Sequence, residues 1–293
     1  MIRDPEIRRI AGRAGVEPRI VELDYALVWA LRGIAGHASL SRRLVFKGGT
    51  CLRKCYFPGY RFSEDLDFTA TGWSGWKELE EAVREAFTEA AEASGIDFAA
   101  REPKLRILED EYGRETLRFR MYWRGPHERG GSPPGLRLDI TRNEVLAFDP
   151  VLRDMAHPFS DVEELGGIAL TCYSLEEVMA EKVRAALGQR IHAVSRDLYD
   201  IFRLRERVDD DSVLRALPTK LAARGVEVAA EDIPKRLTDR KSEFEADWER
   251  NLAGHLPPGA EVEFQGAWER VVDYVTRMAV GLDPDRRAGA TVF

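Results

Sequence analysis

Phe46-Lys47-Gly48-Gly49-Thr50, followed after ten intervening residues by Arg61-Phe62-Ser63-Glu64-Asp65-Leu66-Asp67-Phe68, is the stretch on which the reading of this chain turns. Leu44 to Phe46 is a short apolar strand that runs directly into the two glycines. Two glycines between a strand and a helix let the backbone turn sharply and approach a ligand closely. The helix expected over Cys51 to Tyr56 then presents unpaired N–H groups and a positive dipole end, an anion site suited to phosphate. Thr50 adds a hydroxyl at the same place. Asp65 and Asp67 are two apart on a strand, so their side chains share one face while Leu66 and Phe68 enter a core. Adjacent carboxylates repel unless a cation lies between them, and oxygen ligands at this spacing suit Mg2+ or Mn2+.

A later strand, Leu136-Arg137-Leu138-Asp139-Ile140, puts Arg137 and Asp139 on one face and its three aliphatic residues on the other. If it neighbours the Asp65 strand, Asp139 completes a carboxylate triad. Three carboxylates can hold the two metal ions that clamp the attacking and leaving oxygens of a phosphoryl transfer. Each feature alone has a plainer meaning. A Gly-Gly pair is usually only a turn, Asp-x-Asp is often a solvated strand edge, and Asp139 can simply pair with Arg137 or Arg142. The order strand–turn–helix–strand is what makes the set specific.

Outside this segment the periodicity predicts an α+β chain. Residues 17–37 read as an amphipathic helix with Ile20, Leu23, Leu27 and Leu31 on its stripe, and residues 76–94 as a second, led by Trp76, Leu79, Val83, Phe87 and Ala91. Leu117, Phe119, Met121 and Trp123 alternate with polar residues as in a half-buried strand. Residues 125–135 read as a loop. From Ser174 the pattern turns helical, opened by a capping box of Ser174 and Glu177. A boundary is therefore placed near residue 172. Residues 1–172 form a mixed-sheet catalytic domain with flanking helices, and 173–293 a helical domain that closes the active-site cleft. The residues after about Asp283 read as a frayed end, and 206–293 carry no legible motif.

In the helical part, Lys182 interrupts the apolar stripe of Leu175, Met179 and Ala186. It either snorkels to the helix edge or carries its ammonium into a cleft to meet phosphate. In Ser195 to Phe202, Asp197 and Asp200 lie one turn apart, while Arg196 and Asp200 have the spacing of a surface ion pair.

Composition narrows the classes. The 293 residues carry 44 Lys plus Arg against 51 Asp plus Glu, a net charge of −7. That balance does not advertise nucleic-acid binding, although a local basic groove can hide within it. The first residues are charged, with no apolar signal core, and the apolar runs are too short to span a bilayer. A soluble cytoplasmic protein without membrane attachment is expected. Cys51, Cys55 and Cys172 form no CxxC pair and read as buried small hydrophobes rather than a zinc site or disulfides. There is no GxxxxGK[ST], GxGxxG or HExxH, and the five histidines are scattered.

Lys47–Lys54 (KGGTCLRK) followed by Arg61–Phe68 (RFSEDLDF) resembles the AbiEii/AbiGii (MenT-like) toxin family within the DNA polymerase-β-like nucleotidyltransferase superfamily. The stretch Glu181–Ala185, with Arg190 and Arg196–Asp200, resembles that family's second block. The resemblance implies a metal-dependent nucleotidyltransferase, a type IV-like toxin, that moves NMP from an NTP to an acceptor, with the tRNA 3′ end as candidate and an antitoxin as partner. It implies Asp65, Asp67 and Asp139 as catalytic metal ligands for Mg2+ (or Mn2+). Lys182 and Asp200 would join them as catalytic residues, with Asp197 as neighbour. Lys47, Gly48, Gly49, Thr50, Arg61 and Ser63 would surround the triphosphate, Arg61 having a loop salt bridge as its plainer role. Two alternatives stay open from the residues: a metal-dependent glycosyltransferase using a nucleotide sugar, and an inactive nucleotide- or RNA-binding module.

Overall fold

The computed structural model describes residues 1–73, 75–109, 115–127, 131–161, 166–189, 194–225, 229–260 and 262–282. The chain divides into two compact units. The first comprises residues 1–144, 150–172 and 255–260, and the second 145–149, 173–254 and 261–293. The expected frayed end after Asp283 and the family-block residue Arg190 lie outside the described residues.

The first unit is built on a seven-stranded mixed sheet. Its strands are β1 (Leu44–Lys47), β2 (Asp65–Ala70), β3 (Asp97–Glu109), β4 (Glu115–Arg124), β5 (Gly135–Arg142), β6 (Val151–Asp154) and β7 (Ala169–Cys172), in the order β3-β4-β5-β2-β1-β7-β6. β2 pairs antiparallel with β1 and parallel with β5, so the central strands come from three separated parts of the chain. The inward residues of β2 and β5, Leu66, Phe68, Leu136, Leu138 and Ile140, are fully buried, as alternation requires. Phe46 and Phe68 stack across the β1–β2 pair with ring centroids 4.9 Å apart.

The helices of this unit are α1 (Asp4–Ala14), α2 (Pro18–Gly36), the single turn α3 (Leu40–Arg43), α4 (Gly48–Cys51) and α5 (Trp76–Ser94). α2 differs from its expected amphipathic form. From Asp24 to Leu31 it is buried on every side, whereas Ile20 and Leu23 are only partly covered. Its buried Asp24 is held by Arg53 at 3.2 Å and Lys54 at 2.8 Å. Burial pushes that carboxyl up, but the Lys54 and Arg53 charges outweigh it and hold the group below its ordinary value. α2 crosses α5 at Gly33, where a Cβ would lie 2.2 Å from the Ala86 carbonyl, so no larger residue fits the crossing. α4 starts at Gly48 rather than near Cys51 and continues as a π-type turn over Leu52–Tyr56.

Cys51 and Cys172 are buried, as expected, but the three cysteines also meet. Cys51 and Cys55 share one side of this helical stretch, β7 carries Cys172, and the three sulfurs lie within 4.8 Å of one another. Spacing along the chain concealed this, because the parallel β1–β7 pairing brings Cys172 beside Phe46.

The second unit is helical: α6 (Leu175–Arg184), α7 (Ser195–Leu204), α8 (Asp210–Ala222), α9 (Ile233–Thr238), α10 (Lys241–Asn251) and α11 (Phe264–Leu282). Ser174 caps α6 by accepting from the Glu177 N–H at 3.1 Å. The reciprocal half of the box is replaced. Glu177 is buried and accepts instead from the N–H groups of Ala147 and Phe148, at 2.9 and 3.0 Å. Its charge is countered by Lys220, which is fully buried and also bonds Glu181 at 3.3 Å and the Val145 carbonyl at 2.6 Å.

Candidate active site

Gly48 adopts φ +82°, a left-handed conformation that L side chains rarely take. A Cβ there would sit 2.6 Å from the Asp67 Oδ2, and one on Gly49 would sit 2.5 Å from the Arg61 guanidinium. Both glycines are therefore required by close approach, one to a carboxylate and the other to a cation. Arg61 is 2% exposed, an unusual depth for a guanidinium, and is aimed at the turn from the loop before β2. Thr50 is buried, and its hydroxyl donates to the Asp65 carbonyl at 2.5 Å, so it pins the start of β2 to the helix instead of offering itself to a ligand. Lys47 stands opposite Asp67 across the β1–β2 pair and reaches Glu144 at 3.3 Å. Ser63 is half-buried on the loop between Arg61 and Asp65.

The parallel β2–β5 pairing sets Asp67 beside Asp139 and Asp65 beside Arg137. The three carboxylates thus occupy one face of two adjacent strands, as the alternation predicted. Two arginines hold Asp65 and Asp139. Asp139 accepts from Arg118 of β4 through both oxygens, Nε to Oδ1 at 2.8 Å and Nη2 to Oδ2 at 2.6 Å, the bidentate geometry that carboxylates favour. Arg137 pairs with Asp65 and stands 3.9 Å from Asp139. The hydrogen bond to Asp139, aided by the charges of Asp139, Asp65 and Asp67, raises the Arg118 pKa above its ordinary value. Arg118 was expected only as a polar residue of an alternating strand. The signal that singles it out is the β4–β5 register, which no sequence pattern displays.

These residues suit a divalent cation in part. Asp65 and Asp67 present hard oxygens beside the Gly-Gly turn, and Mg2+ is commonly held by one or two carboxylates together with substrate phosphates. Asp139 stands beside Asp67 in register, where the third carboxylate was expected, and both of its oxygens are engaged by Arg118. The three carboxylates do not converge within 4.8 Å as a set; among the described residues only the cysteines do.

The face continues outward as a basic band. Arg106 stands opposite Arg118, and Lys104 opposite Arg120, which in turn stands opposite Arg137. Directly opposed residues share a face. Lys104, Arg106 and Arg120 are exposed. A cavity of about 410 Å³ in the first unit, lined by Arg9, Arg13, Arg53, Lys54, Phe62 and His157 among others, contains none of the carboxylates.

In the second unit, Lys182 bonds Asp197 Oδ1 at 2.6 Å and Asp200 Oδ2 at 2.9 Å. Asp200 is fully buried and Asp197 nearly so. The Arg196–Asp200 surface pair is accordingly not made, because α7 turns Asp200 inward to Lys182. These three residues form one charged group. Lys182 lies within it rather than snorkelling from an apolar stripe.

No helix of the described residues is long and apolar enough to cross a membrane. No curated protein matches the chain. Among solved structures it is similar to MenT4, a nucleotidyltransferase toxin from Mycobacterium tuberculosis H37Rv, at 25% identity and a TM-score of 0.62, covering 99% of this chain and 94% of that one. The model of the AbiEii family, described as nucleotidyl transferase AbiEii toxin, type IV TA system, matches residues 29–273, which leaves the nucleotide-sugar and inactive-module alternatives without support. With the glycine turn, the carboxylate face and this match in agreement, the chain belongs to the AbiEii family and is a nucleotidyltransferase toxin of the type IV toxin–antitoxin class.

Proposed function

We propose that this nucleotidyltransferase moves NMP from an NTP to an RNA acceptor, the tRNA 3′ end being the first candidate, with a divalent cation at Asp65 and Asp67 and an antitoxin that restrains it. The carrying observation is the contact of Gly48 with Asp67 and of Gly49 with Arg61. It joins backbone that can approach phosphate, a carboxylate and a buried cation at one turn. Mg2+ or Mn2+, when bound, would screen the phosphate charge and favour attack on the α-phosphorus with pyrophosphate leaving. Arg61 and the N–H groups at the start of α4 would hold the triphosphate, with Lys47 and Ser63 flanking it. Thr50 keeps β2 in place. Asp139 would position Arg118, whose charge faces the same carboxylates.

The basic band supports a polyanionic acceptor despite the net charge of −7, since Lys104, Arg106 and Arg120 extend from the carboxylate face without competing carboxylates opposite them in register. The test is incubation with each α-labelled NTP and total RNA, followed by a gel. Wild type should label RNA with one preferred NTP, dependent on Mg2+ or Mn2+, whereas Asp65→Asn and Asp67→Asn should not, although folded. Undiminished labelling in excess EDTA, or by either variant, would overturn the assignment of the metal pair. Labelling of protein but not RNA would overturn the acceptor class.

A further inference from the structure

We propose that Cys51, Cys55 and Cys172 form a second metal site, a three-thiolate set for a soft or borderline ion such as Zn2+, independent of the carboxylate pair. Three sulfurs mutually within 4.8 Å describe a coordination set, whereas a disulfide needs only two. A trigonal ion with Zn–S bonds of about 2.3 Å places its sulfurs roughly 4 Å apart, inside that envelope. The two elements are held from opposite directions: Cys51 and Cys55 are four apart on the helical stretch after Gly49, and Cys172 ends β7. Cys51 and Cys172 are fully buried, and the half-buried Cys55 gives the ion its access.

The charges of Lys54 and Arg153 act on the Cys55 sulfur, the least buried of the three. A divalent ion with three thiolates carries a net charge of −1, which Arg153 is placed to offset. Soft sulfur selects Zn2+, Cd2+ or Cu+ over the Mg2+ that suits Asp65 and Asp67. Binding would tie β7 to the segment that carries Gly48 and Gly49, so occupancy would stiffen the mounting of the turn.

The test uses the full chain, reduced with a phosphine and stripped of metal, titrated with Cd2+ while the thiolate-to-cadmium absorption band is followed, then with Zn2+ against a colorimetric chelator. One ion per chain, with a higher melting temperature in Zn2+, is expected. Cys55→Ala, at the least buried position, should weaken binding by more than the roughly 10- to 100-fold typical of losing an outer-sphere partner. Asp67→Asn should leave it unchanged, which separates this site from the carboxylate pair. Cys172→Ala repeats the test from β7, and its melting temperature shows whether it folds. Absence of uptake by reduced wild type, or full affinity in Cys55→Ala, would refute the site. So would an as-isolated mass two hydrogens short, with no metal taken up after reduction.

Discussion

Gly48→Ala separates backbone strain from displacement of a carboxylate, because the same unit contains a matched control. Gly48 has φ +82° and Gly59 has φ +81°. An alanine at either costs about 1–2 kcal/mol for the left-handed backbone. A Cβ at Gly59 meets nothing within 4 Å, whereas one at Gly48 lies 2.6 Å from Asp67 Oδ2 and 3.3 Å from its Cβ. Ordinary contact begins near 3.4 Å. The Asp67 oxygen must therefore retreat by about 0.8 Å, the difference between those two separations. A displacement approaching 1 Å at a reacting centre can cost roughly 100-fold in rate. Both variants should lose the same 1–2 kcal/mol in chemical denaturation, while only Gly48→Ala should lose NMP transfer, by about two orders of magnitude in kcat. Equal turnover in the two variants would show that the position of Asp67 does not matter to the chemistry.

Lys182→Met should destabilise the protein by about 3–5 kcal/mol in urea unfolding, because it leaves Asp197 and Asp200 buried beside each other without the ammonium between them; a neutral effect would show that the group does not act as a unit. Arg106→Ala and Arg120→Ala should each weaken RNA binding for every sequence and reduce the slope of log K against log salt by about 1 in filter binding; unchanged slopes would remove the basic band from the acceptor path. Burial, joined by the Lys54 charge, holds His157 below its ordinary value of 6.5 even though Asp161 and Asp24 pull the other way. The folded state thus binds that proton less readily than the unfolded chain. The contribution of His157 is complete above about pH 6.5 and is lost as pH falls through the lowered folded value, so His157→Gln should flatten that limb of a stability–pH curve.

The sequence disclosed whatever depends on period and local order. Trp76–Ser94 was legible because its apolar stripe repeats at helical spacing, and the shared face of Asp65 and Asp67 because a strand alternates. It did not disclose partners set by strand register. Arg118 clasping Asp139 depends on β4 lying beside β5, and the meeting of Cys51, Cys55 and Cys172 depends on β1 lying beside β7. β3 escaped notice because its run from Asp97 to Glu109 is charged and exposed, as suits a sheet edge, and lacks the apolar alternation that marks a half-buried strand. α1 went unread, and α8 through α11 were expected only as part of a helical domain, because no motif anchors their bounds. The depth of Asp200 was missed for another reason: an i, i+4 arginine made a surface pair the simplest account, and only tertiary packing turns that face inward.

The six residues from His255 to Ala260 belong to the first unit, although most of the second precedes them in the chain. The N–H of Phe62, on the loop that carries Arg61 and Ser63, donates to the carbonyl of His255 at 2.9 Å. Synthesis runs from the N-terminus, so the ribosome makes the glycine turn and all seven strands long before it makes the residue that latches this loop. The loop that carries Arg61 acquires this backbone partner only after α6 through α10 have been translated. A chain that stalls or is cut anywhere before His255 lacks that latch, which ties the assembly of this loop to synthesis of the helices that precede His255.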